Sequence, residues 1–182
     1  MKFIQTDLKD AYLVELDLRG DERGFFARTM CREEFATIGI ESSFVQQNTS
    51  YSAHRGTLRG LHFQKTPHGE SKLIRCISGA IVDVIVDIRQ DSPTYMQHQM
   101  FELTSRNRLQ LFVPKGFAHS FMTLEDNVEV SYLVSAPYTP SAEDGLRYND
   151  EELGIEWPLP VSVISEKDAS WPLVRERTHQ LY

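Results

Sequence analysis

Residues 80–88, Ala-Ile-Val-Asp-Val-Ile-Val-Asp-Ile, decide the fold. Their period is two. Val82, Val84, Val86 and Ile88 fall on one face, while Ile81, Asp83, Ile85 and Asp87 fall on the other. The pattern predicts a strand with one fully apolar face and one on which acids alternate with aliphatics. The same alternation runs through 12–19 (YLVELDLR), 108–114 (RLQLFVP) and 128–134 (VEVSYLV). Turn residues separate these runs, among them Gly20, Gly24, Gly56, Gly60, Gly79, Pro93, Pro114, Gly116, Pro137 and Pro140. Short strands with frequent turns predict an all-β sandwich or barrel rather than βαβ units.

Helical signals are few and short. Residues 31–38 (CREEFATI) predict two turns ending before Gly39. At 149–152, Asn-Asp-Glu-Glu reads as a capping box for a single turn stopped by Gly154. The proline-marked tail from residue 157 carries Trp157 and Trp171, so it is expected to pack back on the strands. One domain over 1–182 is expected, since the length matches about one domain.

Hydrophobic residues make up 41% and charged residues 25%, which excludes wholesale disorder. With 19 Lys and Arg against 26 Asp and Glu, the net charge is −7. That balance argues against nucleic acid and anionic membrane surfaces as partners, since both require a basic footprint. Cys31 and Cys76, the two cysteines, suggest neither a disulfide scaffold nor a zinc site. The opening residues lack the apolar run of a signal peptide, and no stretch approaches the ~18 apolar residues of a membrane span. A cytoplasmic location is expected.

Inward-facing polar residues of a barrel sit at low dielectric and are the candidates for chemistry. Residues 56–64, Gly-Thr-Leu-Arg-Gly-Leu-His-Phe-Gln, place Gly60, His62 and Gln64 on one face of a strand and Arg59 and Leu61 on the other. A histidine between Gly and Gln has space beside it. Residues 114–119 read Pro-x-Gly-x-x-His, the second motif of cupin barrels, in which the turn directs His119 inward. Metal-binding cupins carry His-x-His in the first motif; here His62-Phe63-Gln64 puts Gln at the second ligand position. Two histidines without a suitably spaced acid fall short of a transition-metal site, so neither metal nor other cofactor is expected. Arg23, Arg59, Lys72 and Lys167 are cations that would suit a doubly charged ligand such as a pyrophosphate.

Taken together, several segments resemble the dTDP-4-dehydrorhamnose 3,5-epimerase family, a nucleotide-sugar branch of the cupins. They are 23–26 (RGFF), 44–50 (FVQQNTS), 56–64, 79–87 (GAIVDVIVD), 91–95 (DSPTY), 113–119 (VPKGFAH), 123–126 (TLED), 138–140 (YTP) and 165–168 (SEKD). The resemblance implies a cupin-type double-stranded β-helix, that is, a jelly-roll barrel with a few short helices. It also implies a homodimer and epimerisation of a dTDP-linked 4-keto-6-deoxy sugar at C3 and C5. By the same resemblance His62 is the general base, Asp168 its orienting acid, Tyr132 the proton donor and Lys72 the cation at the carbonyl oxygen. Arg23, Gln46, Asn48, Arg59, His119, Tyr138, Glu143 and Lys167 match substrate-binding positions, and Arg28 stands at another where family members often carry Glu. Ser120 replaces the usual Gly and is expected to crowd its turn.

The residue types suit the chemistry. Both C–H bonds beside a ketone are acidified, and inversion needs a base near neutral pKa, an acid on the other face and a positive group at the oxyanion. A mono-epimerase or 3,4-ketoisomerase on a related sugar, and a non-catalytic sugar-nucleotide-binding cupin, are the alternative readings.

Overall fold

Strand-forming runs too short to stand alone must pair and stack, and here they do so in two sheets. A computed structural model describes residues 1–40, 43–177 and 181–182. In chain order the strands are β1 (Lys2–Gln5), β2 (Tyr12–Glu15), β3 (Arg19–Asp21), β4 (Gly24–Phe26), β5 (Gln46–Ser52), β6 (Leu58–Gln64) and β7 (Lys72–Ser78). They continue as β8 (Ala80–Asp87), β9 (His98–Thr104), β10 (Gln110–Val113), β11 (Phe117–Thr123), β12 (Val128–Val134) and β13 (Glu143–Gly145). Two short helices, α1 (Arg32–Ala36) and α2 (Glu166–Ala169), and two 3₁₀ turns complete the regular structure of the described residues.

One sheet has the order β1-β2-β10-β7-β12-β5 and the other β13-β6-β11-β8-β9, while β3 and β4 form a separate hairpin. Every strand pair is antiparallel. The expected all-β jelly-roll fold is present, its two sheets stacked face to face and not closed into one hydrogen-bonded barrel.

Alternation sorts the side chains. Ile74 and Cys76 from β7, Ile81 and Ile85 from β8, Leu111 and Val113 from β10, and Val128 and Val130 from β12 meet between the sheets. Thus the acid-bearing face of β8 is the inward one. Its apolar face is buried too, because Val86 and Ile88 lie against Leu153 and Leu181 of the C-terminal segment. Outside the other sheet, Phe35 of α1 packs on Val14, Leu73 and Phe112.

The single turn expected after Asn149 forms, the Leu153 and Gly154 N–H groups donating to the Asp150 carbonyl at 3.1 and 3.3 Å. In place of the capping box, the Asp150 carboxylate accepts from the Glu152 N–H at 3.0 Å and from the distant Val174 N–H at 2.6 Å, which fastens the tail. Residues 31–38 yield one helical stretch of five residues, shorter than two full turns.

Candidate active site

At one end of the space between the sheets the inward positions turn polar. On β7 the face of Ile74 and Cys76 continues to Lys72; on β12 the face of Val128 and Val130 continues to Tyr132. Register then places Asn48 opposite Tyr132, and both Gln46 and Lys72 opposite Val134. The result is a cavity of two compartments, about 370 Å³ and 310 Å³, and His62, Lys72 and Tyr132 line both. Arg59, His119 and Asp168 line the first; Gln46, Asn48, Glu70, Tyr138 and Glu143 line the second.

Strict alternation would put Arg59 and His62 on opposite faces of β6, as the sequence pattern predicts. The structure corrects this. His119 pairs with His62 but Phe121 pairs with Arg59, so β6 carries one residue more than β11 over this interval. That bulge reverses the parity of the strand, and both side chains reach the cavity. Gly60 sits in the bulge at φ +115°, where a Cβ would lie 2.5 Å from the His119 carbonyl oxygen. Ser120 does not crowd a turn; it lies in β11, and its hydroxyl donates to the Arg59 carbonyl at 2.8 Å, pinning the bulge.

The freed Gly60 N–H donates to Asp168 at 3.1 Å, and the other Asp168 oxygen lies 2.6 Å from His62 Nε2. Asp168 is held there by α2, whose Ser165 side chain accepts from the Asp168 N–H at 3.1 Å. Ser165 and Asp168 thus form a Ser-x-x-Asp helix start, a signal present in the sequence that would have foretold α2. Burial pushes the Asp168 carboxyl up, but the bonds from His62, Gly60 and Ser165 outweigh it and hold it below the usual carboxylate range. Trp171 meets the His62 ring edge-on at 6.4 Å.

His119 makes a second His–Asp pair, with Nε2 3.0 Å from Asp83 on the inward face of β8. Lys72 is 8% exposed and its amine lies 3.3 Å from Glu70, an acid that the sequence reading missed. Gln64, the residue at the absent ligand position, donates to Glu70 at 3.2 Å and accepts from the Thr139 N–H at 2.6 Å. Glu143 accepts from Lys167 at 2.6 Å and from the Tyr138 hydroxyl at 2.7 Å. Burial pushes the Glu143 carboxyl up, and these two donors more than offset it, leaving it below its ordinary value. Burial raises the Tyr132 phenol, and the charge of Glu70 adds to the rise.

Two residues expected at the site lie elsewhere on this chain. Arg23 is on the exposed β3–β4 hairpin, ion-paired with Asp21. Arg28 pairs with Glu34 at 2.9 Å on α1. A local carboxylate satisfies each guanidinium, and neither residue lines the cavity. Among the cations that do line it, Lys72 faces Glu70, whereas Arg59, among the described residues, is bonded to neutral oxygens, Ser52 Oγ at 3.1 Å and the Tyr51 carbonyl at 2.9 Å.

Comparison with known proteins converges on one family. The dTDP-4-dehydrorhamnose 3,5-epimerase profile matches residues 5–176. A protein of that name from Methanothermobacter thermautotrophicus is 43% identical over 179 residues, covering 96% of this chain and 95% of its own. The Bacillus anthracis dTDP-4-dehydrorhamnose 3,5-epimerase crystallised with TDP and PPi has a TM-score of 0.92 at 48% identity, covering 95% of this chain and 99% of that one. An epimerase from Legionella pneumophila in complex with dTDP-4-keto-L-rhamnose gives 0.90 at 38% identity, covering 96% and 93%. This chain is a member of the dTDP-4-dehydrorhamnose 3,5-epimerase family, whose chemistry is isomerisation.

Proposed function

We propose that this enzyme epimerises dTDP-4-dehydro-6-deoxy-D-glucose at C3 and C5, giving dTDP-4-dehydro-L-rhamnose. The observation that carries the reading is the junction at which His62, Lys72 and Tyr132 line both compartments of one cavity. The sugar ring sits at this junction. With Nε2 bonded to Asp168, Nδ1 is the ring nitrogen left to take the proton from carbon. The Asp168 carboxylate stabilises the imidazolium that forms, and Lys72 meets the oxyanion that develops at C4. Tyr132, a phenol kept protonated by burial, returns a proton to the other face. Arg59 takes the diphosphate, because among the described residues it is the cavity cation without a carboxylate partner.

We assign no metal to the reaction, and turnover is expected to survive prolonged treatment with a strong chelator; loss with EDTA and recovery with one divalent ion would overturn that. The active species is proposed to be a cytoplasmic homodimer. The hairpin of β3 and β4 carries Phe25 and Phe26, 50% and 70% exposed, and these would be covered by a second copy, bringing Arg23 toward its site. Light scattering should give twice the chain mass of 21.0 kDa.

The deciding experiment is turnover of the 4-keto sugar nucleotide in D2O, followed by NMR. Wild type should label C3 and C5 and invert both; label at one carbon would make it a mono-epimerase. Tyr132→Phe should exchange deuterium while forming much less inverted product, since a single base on one face returns the proton with retention. A variant that inverts as fast as it exchanges would remove Tyr132 from the donor role.

A further inference from the structure

The second compartment holds a largely buried acid to which the reaction above gives no part. Glu70 lies two residues ahead of Lys72, the first residue of β7, and its side chain turns to the same compartment. Their charged groups are 3.3 Å apart with side chains only 13% and 10% exposed, a geometry unlike that of a solvated surface pair. Glu70 is itself braced. Gln64 Nε2 donates to Glu70 at 3.2 Å and to the His68 and Pro137 carbonyls at 3.1 and 3.3 Å, while Gln64 Oε1 accepts from Thr139. The brace therefore joins three elements: β6, the segment entering β7, and the 137–139 segment that carries Tyr138.

We propose that Glu70 is a positioning residue for the epimerisation: it fixes the Lys72 ammonium at the junction of the two compartments and supplies negative charge to the compartment that Tyr132 also lines. The proposal rests on the roles given above to Lys72 and Tyr132. An unbraced lysine would sample many rotamers, and a mobile cation stabilises a developing oxyanion poorly, because the benefit comes from charges already in place. Gln64 and Glu70 together hold the amine in one place. Among the described residues, the charged and titratable groups that line a pocket with Tyr132 are Arg59 and His62 from β6, Lys72 with Glu70 from β7 and its approach, His119 from β11, Asp168 from α2, Glu143 with Tyr138 from the second compartment, and Arg75 of β7 in a third pocket. Of these, Glu70 acts with burial to keep the phenol protonated, and Arg59 opposes them.

The test uses Glu70→Gln, which keeps size and an acceptor oxygen but removes the charge, together with Glu70→Asp, which keeps the charge but shortens the reach. Ionisation of Tyr132 is read directly from the ultraviolet phenolate difference spectrum, each protein being compared with the same protein carrying Tyr132→Phe. In Glu70→Gln the Tyr132 titration should move to lower pH, and the alkaline limb of kcat should follow it. In Glu70→Asp the titration should return toward that of wild type, with kcat ~10-fold or more below wild type through misplacement of Lys72 and KM changed little. An unmoved Tyr132 titration in Glu70→Gln, or wild-type kcat in Glu70→Asp, overturns the proposal. A titration that moves while the alkaline limb of kcat stays fixed supports the charge assigned to Glu70 and instead removes Tyr132 from the acid role. Were Glu70→Gln to fail to fold, the kcat and KM of Glu70→Asp would still decide between positioning and a purely structural acid.

Discussion

The cavity contains two histidine–aspartate pairs that look alike on paper and differ in almost every physical respect. His62 and His119 are directly opposed across β6 and β11. His62 is 32% exposed in its side chain and its partner Asp168 7%, whereas His119 and Asp83 are 10% and 0% exposed. Asp168 accepts from His62, from the Gly60 N–H and from no other strand, and it rides on a four-residue helix outside both sheets. Asp83 lies in the middle of β8, fixed by pairing on both sides. One pair is built from a bulge and a helix start, with its free ring nitrogen open to the cavity. The other is built into the strands. Under the roles proposed above, the comparison separates a reachable histidine, whose carboxylate partner is held off the sheet, from one walled in by the strands.

That contrast can be broken experimentally. His62→Ala and Asp168→Ala should each lower kcat by ~10²–10⁴-fold with modest change in KM, the usual loss for a general acid–base group. His119→Ala should act mainly on KM, because its ring is a wall and not the acceptor of the proton. Steady-state kinetics of the three variants suffices, and an equal collapse of kcat in His119→Ala would show that the two pairs share the proton transfer.

A second test removes the feature that separates the pairs. Gly60→Ala places a methyl group at φ +115°, 2.5 Å from the His119 carbonyl and 2.8 Å from the Ser120 Cα. Strain of this kind costs roughly 1–3 kcal/mol, read as a lower denaturation midpoint. If the bulge relaxes to escape the clash, kcat falls as well, since Asp168 loses the Gly60 N–H. Unchanged stability and rate would show that the bulge is not needed to seat Asp168.

The smallest expected effect is on the pH dependence of stability. Asp168 has a folded pKa below its ordinary value, so the unfolded chain takes up the proton first. Its contribution is fully present above the ordinary carboxylate range, about pH 4, and is lost as pH falls below that toward the folded value. Thermal midpoints measured from neutrality down to acid should therefore drop less steeply in Asp168→Asn than in wild type. Parallel curves would mean that the pairing with His62 carries no proton linkage.

The sequence is a good guide wherever one strand's own pattern settles the matter. Alternation in 80–88 and 128–134 correctly separates inward Asp83 and Tyr132 from their outward neighbours, because β8 and β12 are central strands with regular partners on both sides of these positions. It misleads at β6, since the extra residue there is defined only by pairing with β11, and no local pattern in 56–64 counts residues on another strand. Glu70 went unread because it lies ahead of β7, outside any alternating run, and its place beside Lys72 depends on the brace from Gln64 on another strand. Arg23 and Arg28 lie outside the cavity of their own chain. A cation's position in a motif says nothing of the carboxylate that already holds it, and Asp21 and Glu34 hold these two.

The bulge in β6 also sets what the loss of a single residue would do. Deleting one residue between Arg59 and His62 would leave them two apart on a regular strand, so both side chains would still share the cavity face. What would go is the bulge itself, and with it the Gly60 N–H from which Asp168 accepts. A chain so shortened would keep its histidine and its guanidinium in the cavity and lose part of the seat of the acid behind the histidine.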